Sequence, residues 1–335
     1  MSITRLTGDA STRSYFRAQT RESSVIVLRY ADPFDETERA VDRLANVESA
    51  NPSARLTFAN DPCAHIEVTN RLIDARLPVP RIIAVSGADA LMLIEDVGDV
   101  RLQDWLDGRP EAEAVEAYLY ALELIVKIQE ATEAALGADS ICSHLAFDEA
   151  KLGWELDFFF TNYFNRYLDL RLDRKTSDAV QADFKTLCAE LATRQRVLTH
   201  RDFHARNLMM HDGDMFIIDH QDARMGPASY DVASLLSDPY TKLPREAVAE
   251  LIERFIEIKS ASKLPLASVA EFRVELDLMT VQRMLKAIGT YSSQAAAGNP
   301  VYIPYIEPAL ERALAATRNL RRFESARTLL ETSRV

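Results

Sequence analysis

The stretch from Leu198 to Asp222, LTHRDFHARNLMMHDGDMFIIDHQD, constrains this chain more than any other. Two apolar runs, Leu208-Met209-Met210 and Met215-Phe216-Ile217-Ile218, flank Asp212-Gly213. An Asp-Gly pair between apolar runs predicts a hairpin, because both central positions of the favoured two-residue turn need positive φ. A hairpin carries Asp219 back to the neighbourhood of Asn207 and Asp202, so three oxygen-bearing side chains become one cluster. In such a cluster Asp202 can accept a proton from a hydroxyl nucleophile. Asn207 and Asp219 can hold a magnesium ion that bridges nucleotide phosphates. Hard oxygen donors suit magnesium, which binds few side chains and keeps phosphate oxygens and water as its other ligands.

The chain has 335 residues, enough to bury a sizeable core and long for one domain, so two lobes are expected. A formal net charge of −12 argues against general binding to nucleic acid or to an anionic membrane. Cys63, Cys142 and Cys188 lie far apart with no Cys-x-x-Cys, which suits a reducing compartment and argues against a structural zinc site. The N-terminus lacks a basic segment followed by an apolar one, and no apolar run approaches the roughly 20 residues of a membrane-spanning helix. A cytoplasmic protein is expected.

Residues 1–30 read as strands around a polar turn, with Val25 to Leu28 a compact apolar run. Residues 61–76 read as a helix stopped by Pro78-Val79-Pro80, with Ile66, Ile73 and Leu77 near one side. Ile82 to Val85 and Leu91 to Ile94 form a second hairpin around Ser86-Gly87-Ala88-Asp89. Helices dominate from residue 111. Val115, Tyr118, Leu119, Leu122, Ile125 and Val126 form one apolar stripe. Leu156, Phe159, Phe160, Tyr163 and Tyr167 form another, read as core. Gly226 to Asp231 opens a further helix with Asp231 in its first turn.

His200-Arg201-Asp202 with Asn207 and a later Ile218-Asp219 resembles the catalytic loop of the protein-kinase-like superfamily. His204 and the form Ile218-Asp219-His220-Gln221-Asp222 resemble its aminoglycoside phosphotransferase branch. More narrowly, the opening Gly8-Asp9-Ala10-Ser11-Thr12-Arg13-Ser14-Tyr15-Phe16-Arg17 and the later Gln282-Arg283-Met284-Leu285-Lys286-Ala287-Ile288-Gly289-Thr290 are similar to anomeric sugar kinases acting on N-acetylmuramate and N-acetylglucosamine in peptidoglycan recycling.

The resemblance implies an α+β, bilobal fold. Residues 1–95 would form a small strand-rich nucleotide-binding lobe, 96–100 a hinge, and 101–335 a larger helical lobe with the catalytic loop and the sugar pocket. It implies ATP and Mg2+ as cofactors. The hydroxyls of Ser11, Thr12 and Ser14 would donate to ATP phosphates from the first turn. Arg29 stands where kinases place a phosphate-binding lysine, and Glu67 is its candidate partner. The hinge backbone around Glu95 and Val97 would meet adenine. Glu155 and Arg283 are candidate contacts to the sugar, alongside Asp202 as catalytic base. His200, His204 and Asp231 would support the loop, and Asp222 would brace it or join the metal site. The acceptor would be a small-molecule sugar phosphorylated at its anomeric hydroxyl, on a monomer without nucleic-acid or membrane partners. The runner-up within kinases is an aminoglycoside or a choline-like amino alcohol.

Two readings come from other classes. His200, Asp202, His204, Asp219 and His220 can be read as ligands of a metal-dependent hydrolase, which leaves Asn207 and the hinge-like segment unexplained. The arginine in place of lysine at position 29 can be read as a pseudokinase, against which stand intact Asp202, Asn207 and Asp219.

Overall fold

A computed structural model describes residues 1–6, 13–50 and 60–334. The alternating and β-branched segments near the N-terminus pair as strands: β1 (Ser2–Leu6), β2 (Ser14–Gln19) and β3 (Ser24–Arg29). Helices α1 (Ala40–Ala50) and α2 (Pro62–Asp74) follow, then strands β4 (Ile82–Ser86) and β5 (Leu91–Glu95). The five strands form one antiparallel sheet in the order β1-β2-β3-β5-β4. Its inner face buries Ile26, Leu28 and Met92 with Tyr30 and Ala90.

Asp61 caps α2 by accepting from the Ala64 N–H at 2.9 Å, and Pro62 sits at the first helical position, where it needs no N–H. The inward face of α2 differs from expectation. Cys63, Ala64, Val68 and Leu72 are buried, whereas Ile73 is 37% exposed. Ile66 instead packs against the sheet, so the helix divides its apolar residues between two neighbours.

Residues 96–101 lead from β5 into a helical body. Its elements are α3 (Leu102–Trp105), α4 (Glu111–Glu130), α5 (Thr132–Gly137), α6 (Ile141–His144) and α7 (Glu149–Phe159). The last continues as a π-helical segment, Phe160–Tyr167, and α8 (Arg174–Ala192) follows. Four short strands come next: β6 (Arg196–Thr199), β7 (Leu208–His211), β8 (Asp214–Ile217) and β9 (Arg224–Pro227). They pair antiparallel as β6 with β9 and β7 with β8. The chain ends with α9 (Tyr230–Leu236), α10 (Arg245–Ser260), α11 (Val269–Ala296), a 3₁₀ segment (Pro300–Tyr305), α12 (Ile306–Leu320) and α13 (Glu324–Thr332).

The long helix α11 is the axis of this body, packed against α7, α9, α12 and the π-helical segment. Gly289 makes one of these contacts possible: a Cβ there would lie 2.7 Å from Phe159 Cα. The aromatic stripe is core as expected, with Leu156, Phe159, Phe160 and Tyr163 buried. Among the described residues no helix is long and apolar enough to cross a membrane.

Candidate active site

Asp212 (φ 51°) and Gly213 (φ 89°) both occupy the left-handed region, which is what a two-residue turn matched to strand twist requires. The register pairs Leu208 with Ile217 and His211 with Asp214. Beyond the ladder, Ile218 N–H donates to the Asn207 carbonyl at 3.0 Å, so the residue before Asp219 is tied to Asn207. Asp219 itself has φ 61°.

The loop before the hairpin is braced from behind. Asp231, fully buried, accepts from the N–H of His200 at 2.7 Å and of Arg201 at 3.1 Å. His200 Nδ1 accepts from the Asp202 N–H at 3.3 Å, which assigns the ring proton to Nε2, facing the Ile218 carbonyl at 2.9 Å. This one imidazole therefore links the segment carrying Asp202 to the segment carrying Asp219. Asp238 accepts from Ala205 N–H at 2.9 Å and Tyr240 N–H at 2.8 Å. His204 packs edge-on to Tyr240, and burial drives its pKa down to about 3, so it is neutral. Asp222 is buried and paired with both Arg201 and Arg224. Arg206 lies over the Tyr240 ring at 3.9 Å and donates to Gln103 at 2.8 Å.

Asp202 faces cations. Its Oδ1 accepts from Lys286 Nζ at 2.9 Å and Arg283 Nη2 at 3.1 Å, while Arg201 Nε lies 3.8 Å from Oδ2. Burial pushes the Asp202 carboxyl up, but Lys286, Arg201 and Arg283 together override it and hold it well below the ordinary carboxylate range. Arg283 also donates to the Tyr230 hydroxyl at 2.8 Å. Glu155 sits in the same buried group, accepting from Gln282 at 2.8 Å with Lys151 3.7 Å away. Burial raises its pKa and Lys286 and Lys151 more than reverse that, so it too is anionic. Burial lowers the Lys286 pKa, partly offset by Asp202.

Asn207 Nδ2 donates to the Asp202 carbonyl at 2.9 Å, which turns the amide oxygen away from that contact. With the half-exposed carboxylate of Asp219 it makes a two-residue set of hard oxygens. Among the described residues no three His, Cys, Asp or Glu side chains gather to hold a metal. A sparse oxygen set fits magnesium, whose other ligands are phosphate and water. The hydrolase ligand set does not form: His220 Nε2 is bonded to Thr69 at 2.7 Å, and His200 and His204 are engaged as described.

Of the residues expected to meet a nucleotide, Ser11 and Thr12 lie outside the described residues. Ser14 opens β2 directly opposite Arg29. Side chains opposite each other in an antiparallel pair share a face, and here Ile26, Leu28 and Tyr30 are buried while Arg29 is exposed. Arg29 is thus one residue out of phase with the inner face. Its suggested pairing with Glu67 is not formed; Glu67 accepts from Ile141 N–H at 2.5 Å. Arg13 occupies the inner face instead, with Nη2 3.5 Å from Asp219 Oδ1. Arg17, two strand pairs along, grips Asp96 at 2.7 Å and Asp99 at 2.6 Å, tying the sheet to the connecting segment. In that segment the Glu95 N–H is already spent on the Arg81 carbonyl at 2.9 Å.

Sequence reasoning assigned no role to Lys286, Arg13 or Asp238. For Lys286 a signal existed: it follows Arg283 by three positions on a helix and so shares its face.

Comparison with known proteins places these features in context. A model described as the phosphotransferase enzyme family matches residues 2–264. The chain is 30% identical over 289 residues to an N-acetylmuramate/N-acetylglucosamine kinase of Pseudomonas aeruginosa, covering 85% of this chain and 74% of that one. It is 30% identical over 264 residues to a protein of the same name from Caulobacter vibrioides, covering 75% and 71%. Among solved structures, a choline/ethanolamine kinase family protein from Mesorhizobium loti superposes with a TM-score of 0.59 at 17% identity, covering 98% of this chain and 93% of that one. A spectinomycin phosphotransferase in complex with ADP and spectinomycin gives 0.56 at 13%, covering 94% and 93%. At these identities the structural likeness speaks to fold alone.

Proposed function

The chain belongs to the phosphotransferase enzyme family, and from that premise we propose that it transfers the γ-phosphoryl group of ATP, with magnesium, to the anomeric C1 hydroxyl of N-acetylmuramate, N-acetylglucosamine or a related amino sugar. In this reading residues 1–95 bind nucleotide, 96–100 are the hinge, and 101–335 carry the catalytic loop and sugar pocket. The substrate part draws on the names of the relatives in Pseudomonas aeruginosa and Caulobacter vibrioides.

The observation that carries the choice of acceptor is the charge around Asp202. Lys286 and Arg283 both donate to Asp202 and Arg201 lies beside it, so three basic groups converge on the carboxylate that meets the acceptor. A neutral sugar, or one bearing a carboxylate as N-acetylmuramate does, is compatible with that field. A polycationic aminoglycoside or choline would bring positive charge against it.

The chemistry follows from the side chains. Asp202 orients the acceptor hydroxyl through the oxygen that Lys286 and Arg283 leave free. Its depressed pKa makes it a weak base, so it takes the proton late, as the oxygen–phosphorus bond forms and the bond from γ-phosphorus to the bridging oxygen of ADP breaks. A hemiacetal hydroxyl is more acidic than an ordinary alcohol and suits such a base. Lys286 and Arg283 hold the Asp202 carboxylate in place and ionised for that role. Asn207 and Asp219 would hold magnesium, which supplies charge neutralisation to the phosphates. His200 and Asp231 keep these groups in register.

The test is ATP consumption across amino sugars, neutral sugars, aminoglycosides and choline, with Asp202→Ala as control and phosphorus NMR of the product. A carbon-1 phosphate of N-acetylmuramate or N-acetylglucosamine, absent with Asp202→Ala, is expected. Turnover restricted to aminoglycosides or choline would overturn the acceptor assignment. Wild-type rates in Asp202→Ala would overturn the mechanism.

A further inference from the structure

Nucleotide phosphates need a cation from the sheet side of the cleft, and the residue at the position of the usual lysine, Arg29, faces away from it. The sheet solves this with a different strand. Arg13 precedes β2 and shares the face of Tyr15 and Arg17; opposite them on β3 lie Leu28 and Ile26, both buried. Arg17 on that face reaches the connecting segment and Arg13 reaches Asp219, so this is the face that looks onto the catalytic hairpin.

The surroundings of Arg13 are organised. Its side chain is only 4% exposed, whereas that of Asp219 is 44% exposed. Its guanidinium lies 5.6 Å from the centre of the Tyr15 ring and interacts with the Tyr30 hydroxyl. That hydroxyl is 2.9 Å from His65 Nδ1 on α2. The His65 ring stands edge-on to His220, 5.5 Å between centres, and His220 is bonded to Thr69, one turn further along α2. A neutral, buried chain of contacts therefore joins Arg13 to α2 and to the residue that follows Asp219.

We propose that Arg13, rather than Arg29, is the side chain that binds the nucleotide β- and γ-phosphates in this protein, with Asp219 as its counter-ion until metal-nucleotide enters. The inference rests on the nucleotide-dependent reading above. A guanidinium is a permanent cation that can fork onto phosphate oxygens. Its contact with Asp219 sets it within one phosphate's breadth of any metal that Asp219 and Asn207 hold. Tyr30 and His65 act as positioning residues for it.

The test is calorimetric binding of ADP, AMP and adenosine with magnesium to wild type, Arg13→Gln, Arg13→Lys and Arg29→Gln, none of which requires turnover. Arg13→Gln is expected to weaken ADP at least tenfold while changing adenosine and AMP less than threefold, and Arg29→Gln to match wild type. Arg13→Lys keeps the charge beside Asp219 and so folds even where glutamine does not. Its shorter, single-point ammonium is expected to weaken ADP at least threefold without affecting AMP. ADP binding unchanged in both Arg13 variants, or lost in Arg29→Gln, overturns the assignment and leaves the kinase reading standing. A wild-type protein that binds no ADP at all overturns both.

Discussion

Asp238 offers a measurable quantity from its burial alone. It is 2% exposed, it accepts two backbone N–H groups, and burial outweighs those bonds to raise its pKa from 3.8 to about 6. A carboxyl whose folded pKa is raised binds more protons folded than unfolded between those values, so its ionisation costs stability as pH rises through that window. Each tenfold change in an ionisation equilibrium is worth about 1.36 kcal/mol, so the cost is roughly 1.6 kcal/mol at pH 5 and approaches roughly 3 kcal/mol by pH 7.5. Asp238→Asn cannot ionise. It also leaves one of the two N–H donors without an acceptor, a loss of about 1–3 kcal/mol at any pH. The stability gap, taken as wild type minus variant, should therefore fall by about 1–1.5 kcal/mol between pH 5 and pH 7.5. Urea unfolding of both proteins at several pH values measures this, because the titrations of all other groups cancel in the difference. A gap that stays constant, or widens as pH rises, would refute a raised pKa at Asp238.

Two further outcomes are expected. Lys286→Met removes a charge-assisted bond to Asp202, typically worth about 1.5–3 kcal/mol, so kcat/KM for the acceptor should fall roughly 10-fold to 150-fold with the KM for ATP within twofold; an effect confined to ATP would sink the acceptor-side role. Gly289→Ala gains roughly 1 kcal/mol of helix propensity. However, its Cβ meets Phe159 backbone atoms at 2.7 Å and 3.1 Å, and overpacking of this kind costs about 1–3 kcal/mol. Because backbone cannot rotate aside, a net loss of about 1–2 kcal/mol is expected in denaturant unfolding. A variant more stable than wild type would refute it.

Much of the stretch from Leu198 to Asp222 is legible in the sequence because its information is local. The Asp212-Gly213 turn, the apolar runs on either side of it and the return of Ile218 to Asn207 all follow from neighbours in sequence. Arg29 lies one residue away from the face expected for it. Its strand is plain from composition, but side chains alternate across a strand, and only the pairing of β2 with β3 shows which parity looks inward. Ile73 departs from expectation for a related reason: helical spacing gives a stripe, and the neighbours of α2 decide how the apolar residues are shared. The Glu67–Arg29 pairing rests on an expected arrangement that the residues present do not make.

The sequence by itself determined the hairpin, the order Asp202, Asn207, Asp219 along it, and the division into strand-rich and helical parts. Each depends on turn chemistry or periodicity within a few residues. Only the tertiary structure decided what electrostatic surroundings those groups have. Lys286 meets Asp202 across 84 positions and Arg13 meets Asp219 across 206. Long side chains carry no mark of their partners, and burial, which sets how strongly such charges act, belongs to the packed molecule and not to any segment of it.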